Sequence, residues 1–101
     1  MKATLAQKCV AEFVGTAVFL TCVLKSNGDK YVVLAGLLAA IILAGKISGC
    51  HVNPAITIMN AFNPTTPASE KAEAVYYIMA QVFGGLFALF VHQQVLPDVK
   101  A

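Results

Sequence analysis

Arginine is absent from this 101-residue sequence, and its seven lysines form no basic run. Nucleic-acid binding needs a clustered basic face, so a net charge of +2 does not point there and no nucleic-acid partner is expected. Cysteine is sparse as well: Cys9, Cys22 and Cys50 are scattered and odd in number. They make neither a disulfide framework nor a CxxC or His/Cys metal set, so no metal and no cofactor is expected. Cys9 and Cys22 read as reduced, buried thiols. No nucleophile–base pair and no phosphate-binding loop is evident, which argues against an enzyme.

Charge of either sign is scarce. Charged residues make up 12% of the chain and hydrophobic residues 58%, against roughly 25% charged in an average soluble domain. Mean hydropathy is +0.75. So few charges cover a soluble surface badly, and the class they indicate is a multi-pass integral membrane protein with lipid as its first partner. Their placement agrees. Between Ala3 and Leu24 stand only Lys8 and Glu12, between Tyr31 and Gly45 none, and Ala74 to Val91 is again clean. A helix needs about 20 mostly apolar residues to cross a core ~30 Å thick. Three spans fit, at 4–24, 31–47 and 67–96, the last with margin for tilt or a projecting end. Lys2 and Lys8 ahead of an apolar stretch imitate a signal peptide, but Glu12 interrupts it and two more spans follow. The first span is therefore expected to be retained.

The first loop runs Lys25-Ser26-Asn27-Gly28-Asp29-Lys30, strong turn chemistry that makes the first two spans antiparallel neighbours. The second span is rich in small residues, among them Ala35, Gly36, Ala39, Ala40, Ala44 and Gly45. Small residues let membrane helices approach closely. Gly15 in the first span and Gly84-Gly85 in the third repeat the theme.

The informative stretch is Ser48-Gly49-Cys50-His51-Val52-Asn53-Pro54-Ala55-Ile56-Thr57-Ile58-Met59-Asn60-Ala61-Phe62-Asn63-Pro64. It is too polar to continue a membrane helix and, after Pro54, too apolar for a solvated loop. Pro54 suits the first position of a helix and Asn53 its cap. Pro64 disfavours helix at Asn63. The helix between them is about eight residues, or roughly 12 Å, less than half the ~30 Å core. Beyond it, Thr66 with Pro67 reads as the cap and first residue of the third span. Glu70 and Glu73 sit in its first turns, where the helix dipole favours negative charge.

A half-helix at membrane depth has a physical meaning. Irregular backbone is tolerated there only where protein buries it or water reaches it. The carbonyls of Gly49, Cys50, His51 and Val52 need partners, and a file of water supplies them. The positive end of the half-helix dipole points at the membrane centre, which suits neutral hydrogen-bonding solutes and repels cations.

The same residues carry a family resemblance. Ser48-Gly49-x-His51-x-Asn53-Pro54-Ala55-x-Thr57 resembles the first pore loop of the major intrinsic proteins, the aquaporins and glycerol channels. Ala11-Glu12-Phe13-x-Gly15-Thr16 resembles that family's first helix and Ala80-Gln81-x-x-Gly84 its third, all in the right order over nearly the whole chain. The resemblance implies an all-α membrane fold of three spans plus one re-entrant half-helix (residues 48–62), a single domain over 1–101 equal to half the aquaporin fold. It implies that Asn53, Pro54 and Ala55 form the central constriction, that Gly49, Cys50 and His51 line its approach with carbonyls, and that Glu12 and Gln81 support the loop. For His51 a structural ring satisfied by backbone is expected over any proton shuttle.

The family builds each pore from two inverted halves, and this sequence carries one. Pairing is therefore expected, as an inverted homodimer or higher oligomer, or with a complementary half-channel. The alternative is a truncated, non-conducting fragment that packs on other channel subunits through Gly15 and Gly84 as a structural or regulatory partner. With the N-terminus inside, Lys2, Lys8, Lys46 and Lys71 lie inside and Lys25, Lys30 and Lys100 outside. So small a bias barely sets orientation, which is the expectation for dual topology about an in-plane two-fold axis. The family also places an arginine after its second Asn-Pro-Ala. Here Ile56 follows the only such motif, and Val33 faces the selectivity region by analogy, so a less polar region open to glycerol-sized solutes is expected.

Overall fold

The computed structural model describes residues 2–95, which are helical over most of their length, with no strand among them. Helix α1 spans Leu5–Lys25. Thr4 caps it reciprocally: its Oγ1 accepts from Gln7 N at 3.1 Å while Gln7 Oε1 accepts from Thr4 N at 2.9 Å. The chain reverses through Asn27 (φ 50°) and Gly28 (φ 82°). Asp29 then caps α2, Lys30–Ser48, by accepting from Tyr31 N at 2.8 Å. Gly49, at φ 86°, ends that helix in the left-handed conformation that glycine adopts without penalty. A five-residue connection ends at Asn53, whose side chain caps α3, Pro54–Phe62, with Pro54 in the first turn.

The chain then forms a short helix α4, Ala68–Lys71, and a long one α5, Ala74–Phe90, which passes into a π-helical turn over Val91–Val95. Here the sequence reading needs correction. The third span is not one helix from Pro67. Pro67 is the cap of α4 rather than its first residue, because its backbone is extended and only Ala68 turns helical. At Ala72 and Glu73 the ladder tightens, with Glu73 N donating to Glu70 O at 3.1 Å, an i→i−3 bond that separates α4 from α5. Leu96, the expected end of this span, lies outside the described residues. By length and composition three helices can cross a membrane: Leu5–Lys25, Lys30–Ser48 and Ala74–Val95.

Helix α1 is the centre of the bundle, antiparallel to α2 on one side and parallel to α5 on the other, while α3 rests on α5. Small residues set these distances. A Cβ on Gly84 would stand 2.6 Å from the carbonyl oxygen of Phe13, and one on Gly36 would stand 2.5 Å from Cys22 Cβ. The buried apolar residues are mostly alanines, Ala11, Ala17, Ala40, Ala44 and Ala88, whereas Val10, Leu34, Leu38, Ile42 and Phe83 face outward. That inversion of a soluble core is what a lipid solvent permits, since large side chains gain nothing by leaving it. The cysteines follow the same rule. Cys9 and Cys22 are half-buried rather than buried as the sequence suggested, and all three thiols are free.

Candidate functional site

The site is organised by one carboxylate. Glu12 lies two turns into α1, about 10 Å along its axis, and is wholly buried at 0% exposure. Its Oε2 accepts from Ser48 Oγ at 2.6 Å and from His51 N at 3.0 Å. Its Oε1 accepts from Val52 N at 2.8 Å and from Gln81 Nε2 at 2.9 Å. Four hydrogen-bonding groups from α2, the loop and α5 therefore converge on its two oxygens. An ionisable group at this depth needs such partners.

The loop these bonds hold is strained. Cys50 (φ 50°) and Val52 (φ 43°) both sit in the left-handed region, and Val52 is β-branched. Several contacts offset that cost. Cys50 N donates to Ser48 Oγ at 3.2 Å, and Tyr77 Oη donates to Ser48 O at 2.7 Å. Val52 is buried in the notch left by Gly15, where a Cβ would meet Val52 Cγ1 at 3.0 Å and Ala44 Cβ at 3.4 Å. The amides of residues 50–52 thus turn inward. Among the described residues no donor reaches the carbonyl oxygens of Gly49, Cys50 or His51.

A second cluster ties the loop to the half-helix. His51 Nδ1 is 2.9 Å from Thr57 Oγ1, His51 Nε2 is 3.3 Å from Asn60 Nδ2, and the ring stacks on Tyr77 with centroids 4.9 Å apart. Gln81 Nε2 also donates to Thr57 Oγ1, at 2.8 Å. One proton assignment satisfies the set. Asn60 donates to Nε2, Nδ1–H donates to Thr57, and the Thr57 hydroxyl turns to Asn53 O at 3.4 Å. Gln81 is fixed the same way, because turning its amide over would aim Oε1 at the Glu12 carboxylate. The ring of His51 is therefore satisfied by side chains and not by backbone as expected; only its own N–H is spent on Glu12.

The outer face of the loop and α3 is open. Asn53 is exposed; its Oδ1 accepts from Ala55 N at 2.8 Å, and its Nδ2 has no acceptor among the described residues. Ala55 and Ile56 are exposed and Pro54 half-buried. Gly84 and Gly85 lie on α5 toward α1, the second with more room, since a Cβ there meets only the mobile Leu20 Cδ1 at 3.2 Å. Val33 is not brought together with these residues: it stands in the first turn of α2, about 22 Å along the axis from Ser48. Below the loop a vestibule of ≈ 310 Å³ is lined by His51, Thr57, Asn60 and Tyr77 among others. At its rim Lys8 Nζ pairs with Glu73 Oε1 at 3.0 Å. Tyr77 and Asn60 were not singled out from sequence. The available signal was physical: a phenol or amide at membrane depth requires a partner.

Comparison with known proteins bears on this arrangement. The family model described as Major intrinsic protein matches residues 1–100. Aquaporin AqpM of Methanothermobacter thermautotrophicus is 31% identical, the match covering 90% of this chain and 48% of that protein. A probable glycerol uptake facilitator protein of Thermotoga maritima is 33% identical over 90% of this chain and 45% of its own length. Glycerol uptake facilitator protein-like 6 of Lactiplantibacillus plantarum is 40% identical over 81% of this chain and 40% of its own. The chain thus spans about half the length of the curated relatives it matches. No solved structure gives a significant match.

Proposed function

The chain belongs to the major intrinsic protein family, and we propose that it supplies one half of a passive channel for water or small neutral solutes such as glycerol. It is an all-α, multi-pass integral membrane protein with the elements of half an aquaporin fold: three long apolar helices and a short one started by Asn53-Pro54. The observation that carries the proposal is the polarity of the loop. Glu12 draws the His51 and Val52 amides to the protein side, which leaves the carbonyls of Gly49, Cys50 and His51 and the Asn53 amide for a solute. Acceptors in file with one donor at the deep end suit a molecule that both donates and accepts hydrogen bonds.

In this reading Asn53, Pro54 and Ala55 form the central constriction, and Gly49, Cys50 and His51 its carbonyl ladder. In an inverted pair Ile56 of one copy and Val33 of the other border an apolar selectivity region that admits glycerol-sized solutes, and Glu12 and Gln81 hold the loop. Helix α3 covers about 14 Å of a ~30 Å core, so a second half completes the path. The even lysine distribution favours an inverted second copy. The exposed apolar row Ile56, Ile58, Met59 and Phe62 on α3 supports burial against such a half.

Osmotic water and glycerol flux in liposomes holding only the purified chain tests this, beside Asn53→Asp, which keeps the cap acceptor and removes the donor. Flux above empty liposomes that the substitution abolishes is the expected result. Absence of flux from folded, inserted protein would reject self-pairing and leave a partner half or a non-conducting role. Equal flux from both proteins would reject the loop as the path.

A further inference from the structure

A second and larger cavity, ≈ 610 Å³, lies away from the vestibule in the groove between α1 and α2. Its walls are apolar: Val10, Val14, Leu43 and Ile47 border it, and each is exposed. Lys2 and Lys46 line the same groove. Lys2 precedes α1 and Lys46 stands in the last turn of α2, so the two lie on one side of the membrane. No acidic residue lines the groove, and neither lysine has an acidic partner among the described residues. Lys8, by contrast, is neutralised by Glu73 across the bundle.

We propose that this groove is a binding site for one anionic phospholipid. Its apolar length from Ala6 to Val14 is about 12 Å, most of the ~15 Å that one leaflet contributes to the core. An acyl chain lies along that length, and two unneutralised ammonium groups at its end take the headgroup phosphate, as basic pockets between membrane helices do. Gln7 also lines the groove, and its Oε1 is engaged by Thr4 N, which leaves its amide N–H groups to donate to phosphate oxygens. A second copy of the chain fits the groove less well, because most acids of the described residues are engaged elsewhere. Glu12 is buried in the loop cluster and Glu73 holds Lys8, so a copy in the same orientation brings only Glu70 to this side and an inverted copy only Asp29, itself the cap of α2, a single acid against two lysines. A zwitterionic lipid would leave the lysine pair only half matched.

The test is native mass spectrometry of the full chain in a neutral detergent, titrated with phosphatidylglycerol or with phosphatidylcholine of the same acyl chains. The variants are Lys2→Gln with Lys46→Gln, and Val14→Trp to fill the groove. Each lysine at the headgroup level contributes about a fivefold factor, so the double variant should bind phosphatidylglycerol on the order of 30-fold more weakly and lose its preference over phosphatidylcholine. Added salt should reduce the preference of the parent chain, and Val14→Trp should weaken both lipids. Equal binding of the two lipids by the parent, or an unchanged preference in the double variant, would overturn the proposal. So would a Val14→Trp chain that loses a dimer while its lipid binding stays the same, since the groove would then hold a second copy.

Discussion

Replacing Glu12 by leucine removes every acceptor from the loop anchor while keeping similar volume, so the change isolates hydrogen bonding from cavity formation. Four donors lose their partner, but unequally. Ser48 Oγ retains Ala44 O at 3.2 Å, and Gln81 Nε2 retains Thr57 Oγ1 at 2.8 Å. The amides of His51 and Val52 have no alternative. Two buried, orphaned peptide groups cost about 2–6 kcal/mol. A membrane-based scale, about 0.6 kcal/mol for each of four bonds, gives roughly 2.4 kcal/mol, lower because partners are found in the opened state too. The two ranges meet at about 2–3 kcal/mol, which multiplies the population of the opened loop by roughly 25 to 150. The reporter is Val52→Cys in a chain whose three native cysteines are alanine, since Val52 is buried and a thiol there reacts only when the loop opens. Labelling with a polar maleimide should accelerate by that factor in Glu12→Leu. Glu12→Gln should fall between, because its amide can face Ser48, whose hydroxyl can turn, and orphan only His51 N. Labelling of Glu12→Leu within threefold of the parent would refute the idea that this carboxylate holds the loop.

Two further outcomes follow from the α1–α5 contact. Gly84→Ala places a methyl 2.6 Å from Phe13 O and should cost about 1–3 kcal/mol, whereas Gly85→Ala should be near neutral because Leu20 can move; equal shifts in thermal unfolding would contradict the packing. Thr16→Val should raise stability by up to about 1 kcal/mol, because Thr16 Oγ1 is buried without a partner among the described residues. A loss of stability on thermal unfolding would mean the hydroxyl is engaged.

How much of this was legible in the sequence depends on how local each cause is. The spans were legible because charge exclusion acts residue by residue. The half-helix was legible because Asn53-Pro54 and Pro64 each restrict the backbone at their own position. The division between α4 and α5 was not, since hydropathy is blind to whether a turn closes at i−3 or i−4. Glu73, where the ladder tightens, is also held by a lysine 65 residues away in sequence. The partners of His51 escaped for a related reason: Thr57 and Asn60 come within reach only because residues 49–52 fold back on themselves. That fold depends on Glu12, Ser48 and Tyr77, which lie on three different helices. Sequence physics indicated that Glu12 needed partners, and the family resemblance indicated the loop; neither indicated that both carboxylate oxygens would be doubly occupied.

That double occupancy explains why the anchor is a carboxyl side chain rather than an amide or a hydroxyl. A glutamine at position 12 offers one acceptor oxygen and two protons to a site where all four neighbours are donors. A hydroxyl offers one oxygen to amides that arrive from successive residues along different directions. Only a carboxylate presents two separated acceptors with no proton of its own, so it can hold both the His51 and the Val52 amides and still receive Ser48 and Gln81. The consequence reaches the far side of the same peptides. A peptide plane is rigid, so fixing N–H toward α1 fixes the preceding carbonyl away from it. The outward direction of the Cys50 and His51 carbonyls is thus set by a residue that does not border the open face. Any substitution that keeps the loop folded but frees those two amides should let the planes turn and scramble the row of acceptors. The Glu12→Gln chain, more stable than Glu12→Leu and freeing only the His51 amide, should therefore lose order at the Cys50 carbonyl before it loses the fold.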